Sequence, residues 1–499
     1  MSSVSQAGPK PVPAHQPAFH WHGARIVPLL VTVLIGAVIW FLPMPQGVSE
    51  LVNNAGDPTG AQAWHLFAIF VATIVGLIIK PLPMGAVALI GIAATSLLGV
   101  LPIGDALSGF SNTTIWLIVL AFFVARGFIK TGLGTRIAYL FVRLLGRRTL
   151  GLSYGLILSD LVLAPAIPSN TARAGGVVYP ILKSLANVYG SDPKDGTSRK
   201  IGAFLTKAAF QGTVITSAMF LTAMAANPMA QKLAGDMGIE ITWGSWALAA
   251  LVPGILSLIA VPYIIYKVYP PEIKETPGAT KLAREKLAEM GSITQNEWTM
   301  IGVFVALLVM WIFGSTLGIN ATVAALIGLG LLLITGVLSW DDVKKEEGAW
   351  DTLVWFAALV MMASFLNSLG LIGWFSGIVG ESVTGISWVL AFGILALVYF
   401  YSHYLFASAT AHVSAMYAAF LAVAVAVGTP PLLAALVLAF FSNLFASTTH
   451  YGTGPAPVLF GSGFVELADW WKIGFLVSIV NIVIWLGVGT VWWKVLGLF

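Results

Sequence analysis

Two short stretches decide how this chain is read: Ile167-Pro168-Ser169-Asn170-Thr171-Ala172-Arg173 and Phe406-Ala407-Ser408-Ala409-Thr410-Ala411-His412. Each is a polar interruption in an apolar segment, and each follows the pattern S-x-T-A plus a side chain that can carry positive charge. Each is also followed by a hydrophobic segment that breaks, at Ala225-Ala226-Asn227-Pro228 after the first and at Gly454-Pro455-Ala456-Pro457 after the second. This order, repeated in both halves, is the signature of a secondary transporter built from inverted repeats, with ligand held near the bilayer midplane at broken helices.

The surrounding sequence is that of a membrane protein. Of 499 residues, 58% are hydrophobic and only 9% charged, against about 25% charged in an ordinary soluble domain. Apolar blocks near the roughly 20 residues that cross a bilayer recur throughout. Transmembrane β-barrels alternate over segments of about 10 residues, and these blocks do not alternate. The predicted class is all-α and polytopic. Net charge is +4, from 25 basic and 21 acidic residues, and no basic patch points to nucleic acid. The lack of cysteine removes disulfides, thiolate metal sites and cysteine nucleophiles. The Pro-rich start shows neither a basic cluster with a cleavage site nor the Arg content of a transit peptide.

Candidate spans are 25–43, 63–80, 84–104 and 113–130, then an amphipathic basic stretch at 131–149. An interrupted apolar segment follows at 150–190, then 201–231 with its break, and 244–268. The second half runs through 298–315, 319–338, 352–370, an interrupted 384–427, a broken 430–457, and 471–495. Lys and Arg favour cytoplasmic loops. They gather at 126–148 (Arg126, Lys130, Arg136, Arg143, Arg147, Arg148) and at 267–286 (Lys267, Lys274, Lys281, Arg284, Lys286), whereas 44–62 has none. The N-terminus is therefore expected to be cytoplasmic. Six crossings return the chain to the cytoplasm near 267–295 only if 150–190 enters and leaves on one side, as a re-entrant hairpin does. The expected organisation is a polar cytoplasmic tail at 1–24, a first half at 25–268, a cytoplasmic linker at 269–296 and a second half at 297–499. A second hairpin over 384–427 would start from the outside, so the two tips would point in opposite directions.

Non-helical backbone at membrane depth survives only when buried in protein or lining a wet cavity. The Ser169-Asn170-Thr171 tip offers hydroxyl and amide groups beside N–H groups freed at a helix start, which favour anions. Two such tips facing each other suit a small molecule with a carboxylate at each end. Ser and Thr can also simply satisfy helix backbone or permit close packing. Arg173 and His412 occupy equivalent positions past the tips, and an ionisable group at such depth is a functional candidate. They are read as charge-compensating cations, the alternative for Arg173 being a structural pair with Asp160. Asn227, Pro228, Thr449, His450, Gly452 and Thr453 are candidates for lining the site, His450 equally as a packing residue. Lys183 and Lys207 are expected to snorkel toward the interface, His15, His20 and His22 to be solvated, and the pairs Trp470-Trp471 and Trp492-Trp493 to anchor at the interface.

Enzyme signals are absent or out of context. There is no G-x-x-x-x-G-K-[ST] and no H-E-x-x-H. Gly151-Leu152-Ser153-Tyr154-Gly155 matches G-x-S-x-G, but a nucleophile elbow lies between a strand and a helix, and here an apolar arm follows a basic stretch. The glycine pairs Gly328/Gly330 and Gly487/Gly489 fall within apolar spans, where close helix packing explains them. Neither a cofactor nor a metal site is expected.

Three segments carry a family likeness: LAPAIPSNTARAGGVVYPI at 163–181, FASATAH at 406–412 and SNLFASTTHYGTGPAPVLFGSGF at 442–464, joined by the Trp-rich C-terminus. On these the sequence resembles the divalent anion/sodium symporter family, in particular its branch of 2-oxoglutarate/malate translocators and citrate or tartrate:succinate exchangers. The resemblance runs from about residue 30 to the end. It implies 11 transmembrane helices plus two opposed re-entrant hairpins, a homodimer in the cell inner (plasma) membrane, and an elevator mechanism. It maps substrate binding onto Ser169, Asn170 and Thr171 at one tip and Ser408 and Thr410 at the other. One departure stands out: Ala409 occupies the place of an asparagine in sodium-coupled members. Losing an amide oxygen removes a possible ligand for a hard cation, while Arg173 and His412 add positive charge. The expectation is obligatory exchange of dicarboxylates without sodium. Sodium- or proton-coupled symport, with His412 or His450 carrying the proton, is the alternative. An intramembrane enzyme lacks a paired nucleophile and base, and a channel needs no broken helices.

Overall fold

The computed structural model describes residues 23–49, 60–382 and 387–498; the tail histidines His15, His20 and His22 and the start of the segment at 384 lie outside them. Among the described residues every named element is helical. Among the described residues, eight helices are long and apolar enough to cross a membrane, and five shorter apolar helices accompany them, including Met84–Leu97 and Ala321–Ile334. The protein is a multi-pass membrane protein.

Burial sorts the helices into a centre and a rim. Every residue of Gly202–Met219 is buried, and so is the run from Leu433 to Leu444 within Pro431–Leu444. These are the two segments that break, and they form the centre. By contrast, Ile26–Phe41 buries only Thr32, and its Val27, Leu30 and Leu34 are all more than 60% exposed, as suits a helix facing lipid tails. An apolar groove between this helix and its neighbours Ala61–Ile79 and Met84–Leu97, lined by Thr32, Trp40 and Gly91 among others, holds no tip residue.

Tryptophans bind the last helix and its neighbour to this centre. In Trp243–Val268, Trp246 Nε1 donates to the Ala218 carbonyl at 2.9 Å and Trp243 Nε1 to Thr222 Oγ1 at 3.1 Å, fixing the end of the first broken segment. From the final helix, Trp485 Nε1 donates to Ser257 Oγ and Trp493 Nε1 to the Ala249 carbonyl. Trp470, Trp485 and Trp493 are at most 1% exposed. The interfacial role read for Trp470 and Trp493 is thus corrected: their indoles serve helix packing, Trp493 by reaching the Ala249 carbonyl and Trp470 by packing against Phe210 and Phe460.

Two hairpins flank the broken segments. In the first, Thr149–Leu163 leads to irregular backbone through 164–169, and the chain resumes helix from Asn170 to Val188. Pro165 and Pro168 lack the N–H groups a continuing helix would use. In the second, Trp388–Tyr401 and a 3₁₀ turn, Ser402–Leu405, lead to extended Phe406, and helix resumes at Ala409–His412. Both return arms then contain a five-residue π-helical turn, Ala174–Val178 and Val413–Tyr417, each starting five residues past the tip serine. A π turn accommodates an extra residue and re-aims the side chains that precede it, and such turns gather at functional sites.

Candidate functional site

Ser169 and Ser408 act as N-caps. Ser169 Oγ accepts from Ala172 N at 3.1 Å and Ser408 Oγ from Ala411 N at 3.3 Å. The N–H groups of Asn170 and Thr171, and of Ala409 and Thr410, precede the first intrahelical bonds and so point out of the helix starts. Ser169, Thr171, Ser408 and Thr410 are half-buried, while Asn170 and Ala409 between them are buried. Both tips therefore carry a capping hydroxyl, a pair of N–H groups free of intrahelical bonds and a second, half-buried hydroxyl.

The middle residue differs in use. Asn170 Nδ2 donates to Thr453 Oγ1 at 3.2 Å, tying the first tip to the irregular part of the second broken segment. Beside that bond, a Cβ on Gly454 would stand 1.9 Å from Thr171 Oγ1, so only glycine fits there without displacing the tip. Ala409 has no group for an equivalent tie. The second hairpin reaches the same loop through His403, whose Nε2 donates to the Gly452 carbonyl at 3.0 Å. Gly452, Thr453 and Gly454 thus meet one hairpin on one side and the other hairpin on the other.

The first break is built from backbone groups answered by side chains. Helix ends at Phe220, which is extended, and restarts at Ala226. Asn227 Nδ2 donates to the carbonyls of Ser217 at 2.8 Å and Phe220 at 2.9 Å, and Asn227 Oδ1 accepts from Asn443 Nδ2 at 2.7 Å. The two broken segments are therefore bonded amide to amide. Pro228 lies in the first turn of the restarted helix, where a missing N–H costs nothing. Thr222 Oγ1 donates to the Pro165 carbonyl at 2.7 Å, joining this break to the first tip.

Arg173 is the hub of that joint. It is 0% exposed, and its Nε donates to Asp160 Oδ1 at 3.0 Å. Its Nη1 donates to the carbonyls of Ile167 and Ala223, both at 2.6 Å, and its Nη2 to Ser217 Oγ at 3.0 Å. Thr216 donates to the other oxygen of Asp160. The fixed cation read beside the first tip is thus paired, the alternative the sequence left open, and it links entry arm, tip and break.

His412 is equally buried but differently partnered. Its Nδ1 lies 3.1 Å from His403 Nδ1 and its Nε2 3.3 Å from Ser402 Oγ. Its ring stacks against Phe445 and Phe406 and leans on Tyr399, with centroids 4.5, 4.6 and 4.7 Å away. His450 accepts from Trp471 Nε1 at 3.1 Å through Nδ1 and packs against Phe460 and Tyr451. Thr449 is buried, and among the described residues its Oγ1 has no hydrogen-bond partner. Among the described residues no cluster of three or more His, Cys, Asp or Glu could hold a metal ion.

One residue escaped the sequence reading and another is placed differently from it. His403 stands nine positions before His412 in an apolar arm, and that placement alone could have marked it. Lys207, read as snorkelling, is 0% exposed. Its Nζ donates to the Trp470 carbonyl at 2.8 Å and sits 4.1 Å from that indole's centroid. The reading of Lys207 is corrected: the start of the last helix closes over the route to the interface. Lys183 is exposed.

The fold is that of a multi-pass membrane protein with two interrupted hairpins and two broken segments. Residues 23–499 match the family described as the sodium:sulfate symporter transmembrane region, and the chain belongs to this divalent anion/sodium symporter family. Over 476 residues it is 62% identical to a Bacillus subtilis (strain 168) protein named "Putative malate transporter YflS", covering 95% of this chain and 97% of that one. It is 54% identical over 482 residues to "Dicarboxylate transporter 1, chloroplastic" of Spinacia oleracea, covering 96% and 83% respectively. Among solved structures, the Alcanivorax borkumensis YdaH transporter shares the fold with a TM-score of 0.52 at 12% identity, covering 95% of this chain and 97% of that one.

Proposed function

We propose that this protein exchanges dicarboxylates of the 2-oxoglutarate, malate or succinate type across the cell inner membrane, without sodium. The relatives named as malate and dicarboxylate transporters, alike over nearly the whole chain, support the substrate class. The observation that carries the site is the junction at 452–454, bonded through Asn170 to one tip and through His403 to the other hairpin. Ser169, Asn170, Thr171, Ser408 and Thr410 bind the two carboxylates through hydroxyl and N–H groups. His412 balances charge, and Arg173 holds the first tip in shape through Asp160. Thr449, Thr453 and Gly452 line the space between, while Asn227 and Pro228 keep the first break open.

Exchange follows from the tips. Unpaired N–H groups carried through a low-dielectric layer are costly, and a dianion satisfies them at both ends. A loaded carrier therefore crosses more readily than an empty one. The crossing unit comprises both hairpins and both broken segments, which are bonded to one another, sliding in elevator fashion against the outer helices of a homodimer. The N-terminus is cytoplasmic, eleven helices span the bilayer, and the two halves, divided at 269–296, are inverted repeats.

The test is uptake of labelled malate into lipid vesicles holding the purified protein. Uptake should require internal dicarboxylate and ignore replacement of sodium by potassium. Uptake that follows a sodium gradient into empty vesicles refutes exchange. One observation favours that second reading, sodium-coupled symport: Asn443 Oδ1, Ser447 Oγ and Thr449 Oγ1 are buried near the second break without hydrogen-bond partners among the described residues, and such oxygens suit a hard cation.

A further inference from the structure

The two tips treat positive charge differently. Arg173 has a resident carboxylate in Asp160. Among the described residues, neither His403 nor His412 has a hydrogen bond or ion pair with Asp, Glu, Lys or Arg. Tyr399 packs on His412, and the phenols on the elements around the pair have partners of their own. Tyr399 and Tyr401 of the entry arm pair with Ser442 and Ser478, Tyr417 of the return arm donates to the Ala435 carbonyl, and Tyr451 of the second break donates to the Tyr404 carbonyl. His450 of that break is held by Trp471.

Donors and acceptors along this chain of contacts can be assigned by elimination. A carbonyl only accepts, so His403 Nε2, at 3.0 Å from the Gly452 carbonyl, carries a proton. In the neutral ring His403 Nδ1 is then an acceptor, and the N···N contact of 3.1 Å requires His412 Nδ1 to donate. At the other end, Ser402 Oγ has the Tyr399 carbonyl at 2.9 Å and Met416 Sδ at 3.6 Å as acceptors, and its single hydrogen satisfies a helix-end carbonyl best when directed to Tyr399. That leaves a Ser402 lone pair facing His412 Nε2 at 3.3 Å. Every group is satisfied when His412 holds a proton on both nitrogens. With His412 neutral, Ser402 must leave the Tyr399 carbonyl or the Nε2 lone pair faces another lone pair. The flanking aromatic faces of Phe445, Phe406 and Tyr399 attract a cationic ring. Ser408, the tip cap, lies one helical turn before His412, about 6 Å along the axis.

Building on the dicarboxylate reading above, we propose that His412 takes up a proton together with the dianion at the second tip, and that His403 is the positioning residue that makes this possible. Opposite charges one turn apart promote each other's binding, and the linkage is reciprocal. His403 supplies the acceptor that holds His412 Nδ1–H and, through Gly452, relates this pair to the loop that the first tip also touches. The proton comes from solvent when ligand binds and returns to it when ligand leaves.

Proton uptake on binding is counted directly by calorimetry. Malate is titrated into the purified full-length protein in phosphate and in Tris buffers, whose ionisation enthalpies differ, between about pH 6 and about pH 8, within the range where histidines titrate. The parent protein should take up close to one proton per chain over part of that range. Its half-saturation concentration should rise as much as roughly tenfold per pH unit where the proton is being lost. His412→Phe, which keeps the stacked ring, should bind malate more weakly and without proton uptake. His403→Gln retains a donor for Gly452 but not the Nδ1 acceptor, and should displace the pH at which uptake occurs; His403→Asn, which restores an acceptor there, should move it back. Malate binding by the parent with no proton exchange at any pH overturns the proposal, as does unchanged uptake in His412→Phe. If the parent binds no malate at all, the dicarboxylate reading fails first and this inference falls with it.

Discussion

Replacing Arg173 with glutamine should destabilise the protein far more than replacing Arg173 and Asp160 together. The guanidinium makes four bonds, to Asp160, Ile167, Ala223 and Ser217. Arg173→Gln alone leaves Asp160 as a buried carboxylate with Thr216 as its remaining partner. Breaking one side of a buried ion pair costs about 3–5 kcal/mol, and the orphaned carbonyls of Ile167 and Ala223 push toward the upper end. In Asp160→Asn/Arg173→Gln both groups are neutral amides that can bond to each other, so the pair should recover on the order of 1–3 kcal/mol as coupling. The assay is the apparent melting temperature in detergent beside malate exchange in vesicles. The single variant should melt several degrees lower and transport poorly. The double variant carries the same net charge as the parent pair and should regain stability and part of the exchange. A double variant no more stable than the single one refutes the hub role of Arg173. Full recovery of stability with no exchange would instead mean that the ligand feels the Arg173 charge itself.

Gly454→Ala should cut exchange sharply, since its Cβ would stand 1.9 Å from Thr171 Oγ1. Adding Thr171→Ala should restore the melting temperature but not exchange. Asn170→Ala loses the bond to Thr453 and should cost about 1 kcal/mol in stability, with a larger fall in exchange at low malate concentration. Lys207→Met fills the same space without charge and should melt as the parent does or higher, because apolar isosteres of buried ions are often tolerated. Lys207→Ala should lower stability by about 2–4 kcal/mol through the cavity it leaves. Outside the membrane, the Lys130 ammonium, at 2.6 Å, holds the Asp342 carboxyl well below its usual range. A depressed carboxylate lends stability that is present above its unfolded value and lost as pH falls toward the folded one. Asp342→Asn should therefore remove part of the drop in melting temperature between neutral and acid pH.

The tips were legible because polar runs in apolar segments have few structural uses. Ser169-Asn170-Thr171 and Ser408-Ala409-Thr410 stand out by composition, and their matched order with two breaks carries the architecture. What could not be read is partnership across the fold. Arg173 looks the same in sequence whether it faces ligand or Asp160, since those two positions meet only when the hairpin closes. Distance along the chain made Lys207 a candidate for the interface, whereas a helix that begins 260 positions later in the sequence, at Leu467, covers it. His403 went unweighed because no repeat position in the first hairpin matches it. The π turns at 174–178 and 413–417 leave no trace in composition, because they arise from backbone packing around an added residue and not from any preferred side chain.

The three residues Gly452, Thr453 and Gly454 behave like a latch common to two doors. Opening either hairpin alone would tear the Asn170–Thr453 or the His403–Gly452 bond, so neither leaf swings freely while the other stays shut. Flapping of a single tip is thereby penalised, and motion that carries both hairpins together keeps the two bonds intact.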